Sequence, residues 1–179
     1  MNATPNPRFT PTLRRLHWLM AALILAGYVL MEQRDIFPRG SAGRGAMMQG
    51  HYWVGILVFW LAWWRLLRRR LDGAPGITPP LSRIPALASR LIHVALYAFF
   101  VVMPLLGLAT AWSDGKDILI PFTGIALPSL LPENEGLAHT LEDLHGTIGE
   151  AFYWVIGAHV LVALWHHMVR RDDTLRRML

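Results

Sequence analysis

The chain carries eight histidines, at positions 17, 51, 93, 139, 145, 159, 166 and 167, and no cysteine. Imidazole both titrates near neutral pH and ligates transition metals, so without thiols any metal chemistry has to run through histidine or carboxylate. The missing cysteine also excludes disulfides, iron–sulfur clusters, a thiol nucleophile and covalent haem attachment through Cys-x-x-Cys-His. His145 and His159 are 14 residues apart. On one helix that spacing falls about 40° short of four full turns, so both side chains share a face, about 21 Å apart along the axis. Two histidines on one face at two levels suit two stacked cofactors better than one.

The elements that must carry them are long and apolar. Of 179 residues 54% are hydrophobic, and stretches without Asp, Glu, Lys or Arg run over 16–31, 46–64, 91–113 and 151–169. A bilayer core of about 30 Å takes about 20 helical residues, so the last three suffice directly and the first needs its flanks, where arginines can snorkel. Thr10-Pro11 reads as an N-cap followed by a first-turn proline. The pattern predicts helices over about 11–32, 46–68, 86–112 and 141–169 in one domain, 1–179: an all-α, integral membrane four-helix bundle. A cleaved signal peptide would end in small residues, whereas the first run ends in Met31-Glu32-Gln33-Arg34.

Seventeen basic against twelve acidic residues give a formal charge of +5, but the excess is not spread over a soluble surface and does not point to nucleic acid. Thirteen of the seventeen lie in the N-terminal arm, the helix 2–3 linker and the tail; Arg34, Arg39, Arg44 and Lys116 lie on the other side. By the positive-inside rule both termini are cytoplasmic and the chain crosses four times. Pro75, Pro79, Pro80 and Pro85 make the 2–3 linker an extended loop. The eight tryptophans read mostly as an interfacial belt.

With that topology, helix 1 brings in His17 at the cytoplasmic side and helix 2 brings in His51 at the periplasmic side. The pairs that follow are His17 with His159, and His51 with His145. Two histidines fill both axial positions of a haem iron, which favours electron transfer over oxygen binding. Gly55 and Gly149 each follow a proposed ligand by four residues and leave space on the same face, as does Gly107, 14 residues after His93. Arg65, 14 residues after His51, would sit on the inward face at the cytoplasmic end, where it could meet a haem propionate. His93 and His166 lie at that level as quinone or propionate neighbours, and His139 reads as a surface loop residue. His17 stands only two residues inside Arg15 while His159 stands eleven before Arg170, so the levels of that pair match only if helix 1 starts deep or helix 4 projects. No phosphate-binding loop, dinucleotide fingerprint, nucleophile elbow or zinc-protease motif is present.

Taken in order, Arg15-Leu16-His17-Trp18, Phe37-Pro38-Arg39, His51, His93-x-x-x-Tyr97, Pro104-Leu105-x-Gly107, His145, His159 and His166-His167 with Asp173-Thr174-Leu175 span nearly the whole chain. In this ordered set the sequence resembles the bacterial four-helix cytochrome b561 family, most closely its small members that act as superoxide oxidases. The resemblance implies two haem b groups on His17, His51, His145 and His159. It further implies residence in the bacterial cytoplasmic membrane, oxidation of superoxide to dioxygen at the periplasmic side, and reduction of ubiquinone in the bilayer. An anionic substrate calls for an electropositive entry, for which Arg34, Arg39, Arg44 and Lys116 are the candidates. The region of His93, Arg65 and His166 is the expected quinone site. Two other classes fit the residues as well: a cytochrome b anchor passing electrons between a partner dehydrogenase or hydrogenase and the quinone pool, and a transporter or scaffold using histidines for protons.

Overall fold

A computed structural model describes residues 8–179; residues 1–7 of the predicted domain lie outside those described. Four long helices follow one another: α1 (Pro11–Glu32), α2 (Ala42–Asp72), α3 (Arg83–Ser113) and α4 (Glu135–Trp165). α4 runs directly into one π-helical turn, His166–Arg170, and a short 3-10 turn, Arg176–Met178, ends the chain.

Helix starts follow local capping chemistry. The Thr10 side chain accepts from the Leu13 amide ahead of Pro11, as the sequence predicts. α2 begins before the predicted 46 because Ser41 accepts from the Arg44 amide at 3.3 Å, and it runs to Asp72, where Gly73 takes φ 74°. α4 begins well before 141 because Asn134 accepts from the Leu137 amide at 2.9 Å. A charge-free run traces only the part of a helix that lipid can cover; both helices continue beyond it into solvent, where charges cost nothing.

α1 packs against α2 and α3 against α4, α2 meets α3, and the backbones of α1 and α4 stand apart, meeting through side chains. The Thr10 hydroxyl donates to Asp72 at 2.6 Å, tying the start of α1 to the end of α2. Both described chain ends therefore lie at one end of an antiparallel bundle, and the α1–α2 and α3–α4 connections lie at the other.

Met20, Val58, Ala62, Leu96 and Phe100 form the buried core, with Phe152, Val155 and Ile156 of α4 packed against it. Phe99 and Phe152 stack with centroids 4.0 Å apart. Phe152 is seven residues from both His145 and His159, so this apolar plug separates two histidine levels. Outside it the bundle is turned outward: Trp154 is 82% and Leu161 67% exposed. Large apolar faces of that kind are stable against lipid, not water. Three segments, Pro11–Ile36, Arg83–Ser113 and Glu135–Arg170, are long and apolar enough to cross a membrane. α2 is not among them, contrary to the reading that 46–64 suffices directly. Its uncharged stretch is diluted by Gln49, His51, Tyr52 and four tryptophans, and Arg44 and Arg65 close in on both sides.

Candidate functional site

Two imidazole pairs face one another across the bundle at two depths. At the loop end His51 of α2 and His145 of α4 have ring centroids 6.1 Å apart, and at the chain-terminus end His17 of α1 and His159 of α4 are 6.4 Å apart. A metal-bound imidazole nitrogen lies about 2.0 Å from the ion, and the ring centre about 1 Å further back, so two rings sharing one metal have centroids roughly 6 Å apart. Both separations fit one iron between each pair. Among the described residues no three His, Asp or Glu side chains converge to hold an ion. Two imidazoles alone suit a metal that brings its own equatorial ligands, as a haem does.

The surroundings of the outer pair fit a flat macrocycle. A cavity of about 450 Å³ opens between the two helix pairs, lined by His51, His145, Gly27, Gly55, Gly107 and Gly149 among others. At Gly107 a Cβ would stand 3.1 Å from the His145 ring, so a larger residue would push that imidazole out of place. His51 Nδ1 lies 3.1 Å from the Gly27 carbonyl oxygen; donating there fixes the tautomer and turns Nε2 toward His145. The sequence offered no hint of Gly27, because a partner 24 residues away on another helix leaves no periodic trace.

Across the open α1–α4 side runs a latch that the sequence also concealed. Tyr28 donates to the Gly149 carbonyl at 2.8 Å, Tyr153 donates to Glu32 at 2.7 Å, and the two tyrosine rings lie 4.4 Å apart. At the cavity mouth the four candidate cations separate. Arg44 is paired with Asp35. Lys116 is paired with Asp114; burial lowers its affinity for a proton, but the Asp114 hydrogen bond together with the charges of Tyr52, Asp114 and Glu142 outweighs this and raises it. Arg39 is exposed and does not line the cavity. Arg34 lines it with no ion pair among the described residues.

The inner level holds a third imidazole. His93 stands 5.5 Å from His159 at 88°, closer to the His17–His159 pair than a rim position, and its Nδ1 lies 2.6 Å from the Ser89 carbonyl. Arg65 donates to the Tyr97 hydroxyl at 3.1 Å while its Nε is buried without a partner, a donor still available to an acceptor at this level. Tyr97 follows His93 by one helical turn, which was a usable signal. The depth mismatch between His17 and His159 is resolved by α4 projecting: the helix and its π-turn continue to Arg170, and the tail folds back to α1, where Trp18 Nε1 donates to the Met178 carbonyl at 2.9 Å.

His166 is buried, with Nδ1 2.5 Å from Asp172, and Arg170 Nε lies 3.2 Å from the same carboxylate oxygen. Burial raises the Asp172 carboxyl, but the hydrogen bonds from His166 and the Thr174 amide prevail and leave it below the usual carboxylate range. Arg171 at φ 57° reverses the chain between the two partners. Asp172 could not be read from helical spacing because a π-turn and this reversal intervene. His139, expected in a loop, lies on the first turns of α4, exposed and 3.2 Å from Asp143.

The family described as prokaryotic cytochrome b561 matches over residues 8–179. Cytochrome b561 homolog 1 of Escherichia coli (strain K12) is 34% identical over 172 residues, covering 96% of this chain and 97% of the relative. The probable superoxide oxidase CybB of Yersinia pestis is 32% identical, covering 92% of this chain and 91% of the relative. Cytochrome b561 homolog 2 of Escherichia coli (strain K12) is 28% identical over the whole chain and 95% of the relative. With its transmembrane bundle and facing imidazoles, this chain belongs to the prokaryotic cytochrome b561 family.

Proposed function

We propose that this haem b membrane protein is a superoxide:quinone oxidoreductase that holds two haems, one on His51 and His145 and one on His17 and His159. The observation that carries the reading is the pair of imidazole couples, at 6.1 and 6.4 Å, on opposite sides of an apolar plug. Haem held by two imidazoles supplies one-electron transfer and leaves no axial position for dioxygen. Two superoxide anions, one quinone and two protons balance two dioxygen and one quinol, so one site must admit an anion and another must supply protons.

The chain's residues divide along those lines. Arg34 at the outer cavity mouth is the cation available to draw in superoxide, supported by the name of the Yersinia pestis relative. At the inner level His93 and His166 each have Nδ1 engaged, which leaves Nε2 of each ring to meet a quinone carbonyl, with Arg65 beside them. Asp172 orients His166 through the hydrogen bond at Nδ1. In this account α2 crosses the membrane with the other three helices, because it packs antiparallel along α1. Both termini are cytoplasmic, where thirteen of the seventeen basic residues gather.

The test is turnover by the purified chain alone, with enzymatically generated superoxide as donor and a short-chain ubiquinone as acceptor. The reading expects quinol formation in a ratio of one per two superoxide consumed. Reduction only on addition of a dehydrogenase or hydrogenase partner would make the chain a cytochrome b anchor instead.

A further inference from the structure

The connection between α3 and α4 contains an uncharged run of fifteen residues, 118–132, between Asp117 and Glu133. Its first part is a closed hairpin: Leu119 bridges Ala126, the Ile120 amide donates to the Ile125 carbonyl at 2.7 Å, and the Leu127 amide donates to the Ile118 carbonyl at 2.8 Å. The turn satisfies its own polar groups as well. The Thr123 amide donates to the Ile120 carbonyl at 3.2 Å, the Thr123 hydroxyl donates to the same carbonyl at 3.0 Å, and the Ile125 amide donates to that hydroxyl at 3.1 Å. Backbone that closes its own hydrogen bonds can leave water cheaply.

The hairpin tip is built to present apolar side chains. Pro121 and Phe122 are the central residues of the turn closed by Thr123, and Phe122 takes φ 66° where such turns take glycine. A bulky residue in the left-handed region is strained, and this one exposes its ring completely, at 109%. Ile125 and Leu130 are 62% and 74% exposed. Water gives no return for strain that displays a phenyl ring.

The hairpin base is fixed on the outside of the bundle. Gln49 donates to the Asp117 carbonyl at 2.7 Å and accepts from the Leu119 amide at 2.9 Å, while Trp53 donates to the Leu119 carbonyl at 2.7 Å. Gln49 and Trp53 lie two residues on either side of His51, on the face of α2 turned about 160° away from it. The segment is thus drawn down along the outer flank of α2, away from the cavity, to the end of that helix's uncharged run.

We infer that the 118–132 connection, with its 118–127 hairpin, is an interfacial membrane anchor, with Phe122, Ile125 and Leu130 seated at the headgroup–acyl boundary of the leaflet at the loop end. The lipid surface is the occupant because the segment lacks charge, its 118–127 hairpin ties its two strands to each other, and it is held beside a transmembrane bundle at the level where its charge-free spans begin.

The absence of cysteine makes the test direct. Phe122→Cys and Ile125→Cys are each labelled with a nitroxide in the full chain, reconstituted in phosphatidylethanolamine–phosphatidylglycerol vesicles. Relaxation by oxygen is then compared with relaxation by an aqueous nickel chelate. Leu25→Cys on the outward face of α1 and Arg39→Cys in the α1–α2 turn serve as lipid and water references. Labels at 122 and 125 that follow the Leu25→Cys reference, accessible to oxygen with loss of nickel relaxation, support the anchor. Labels that follow the Arg39→Cys reference, or that are shielded from both agents as by a second copy of the chain, overturn it.

Discussion

At residue scale the account rests on where single atoms stand around the imidazoles. Gly107 leaves room for the His145 ring, which a Cβ would meet at 3.1 Å. Gly107→Val is therefore expected to lose the haem at the loop-end level and keep the other, read as one haem per chain in place of two. Asp172 is expected to act through His166. Asp172→Asn keeps the size of the side chain but removes the charge facing Nδ1, and should slow quinone reduction about tenfold, equivalent to about 1.4 kcal/mol in the barrier. Haem content should stay unchanged, and Asp172→Glu should recover part of the rate. An unaltered rate in Asp172→Asn would show that His166 needs no orienting partner.

At the scale of elements, the tail is as much a part of the site as the helices. Residues 170–179 fold over the chain-terminus end through Asp172, through the Arg177 guanidinium over Phe9 with 5.5 Å to its ring centroid, and through Trp18. The Asp172 carboxyl lies below its ordinary value of about 3.9, so its contribution to docking is fully present above that pH and is lost as pH falls through the lower folded value. Amide hydrogen exchange in the tail, corrected for intrinsic rates, should show constant protection from pH 8 to 5 and loosen only below about pH 4. Opening already between pH 5 and 7 would contradict control by Asp172. The four helices were legible because charge-free runs and His spacing are local, periodic signals, and which imidazoles face one another followed from antiparallel topology. Helix ends were misjudged where α2 and α4 continue past lipid into solvent. The Gly27 acceptor, the Tyr28–Tyr153–Glu32 latch and Asp172 were invisible because each joins elements distant in sequence or separated by an aperiodic turn.

At the scale of the whole molecule, charge and depth organise the function. The loop end carries few cations, and pairing of Arg44 and Lys116 leaves Arg34 to set the field at the cavity mouth. Arg34→Glu should lower kcat/KM for superoxide about tenfold at low ionic strength, and the deficit should shrink as salt screens the field. A rate indifferent to both charge and salt would remove Arg34 from the entry. The central claim is that two imidazole pairs at two depths hold two haems. It is tested most directly by pyridine haemochrome counting on the purified chain and on His17→Ala, His51→Ala, His145→Ala and His159→Ala. The account predicts two low-spin haems per chain, one remaining in each variant, and the same one lost within each pair. A single haem in the unaltered chain, or His51→Ala and His145→Ala losing different haems, would contradict it.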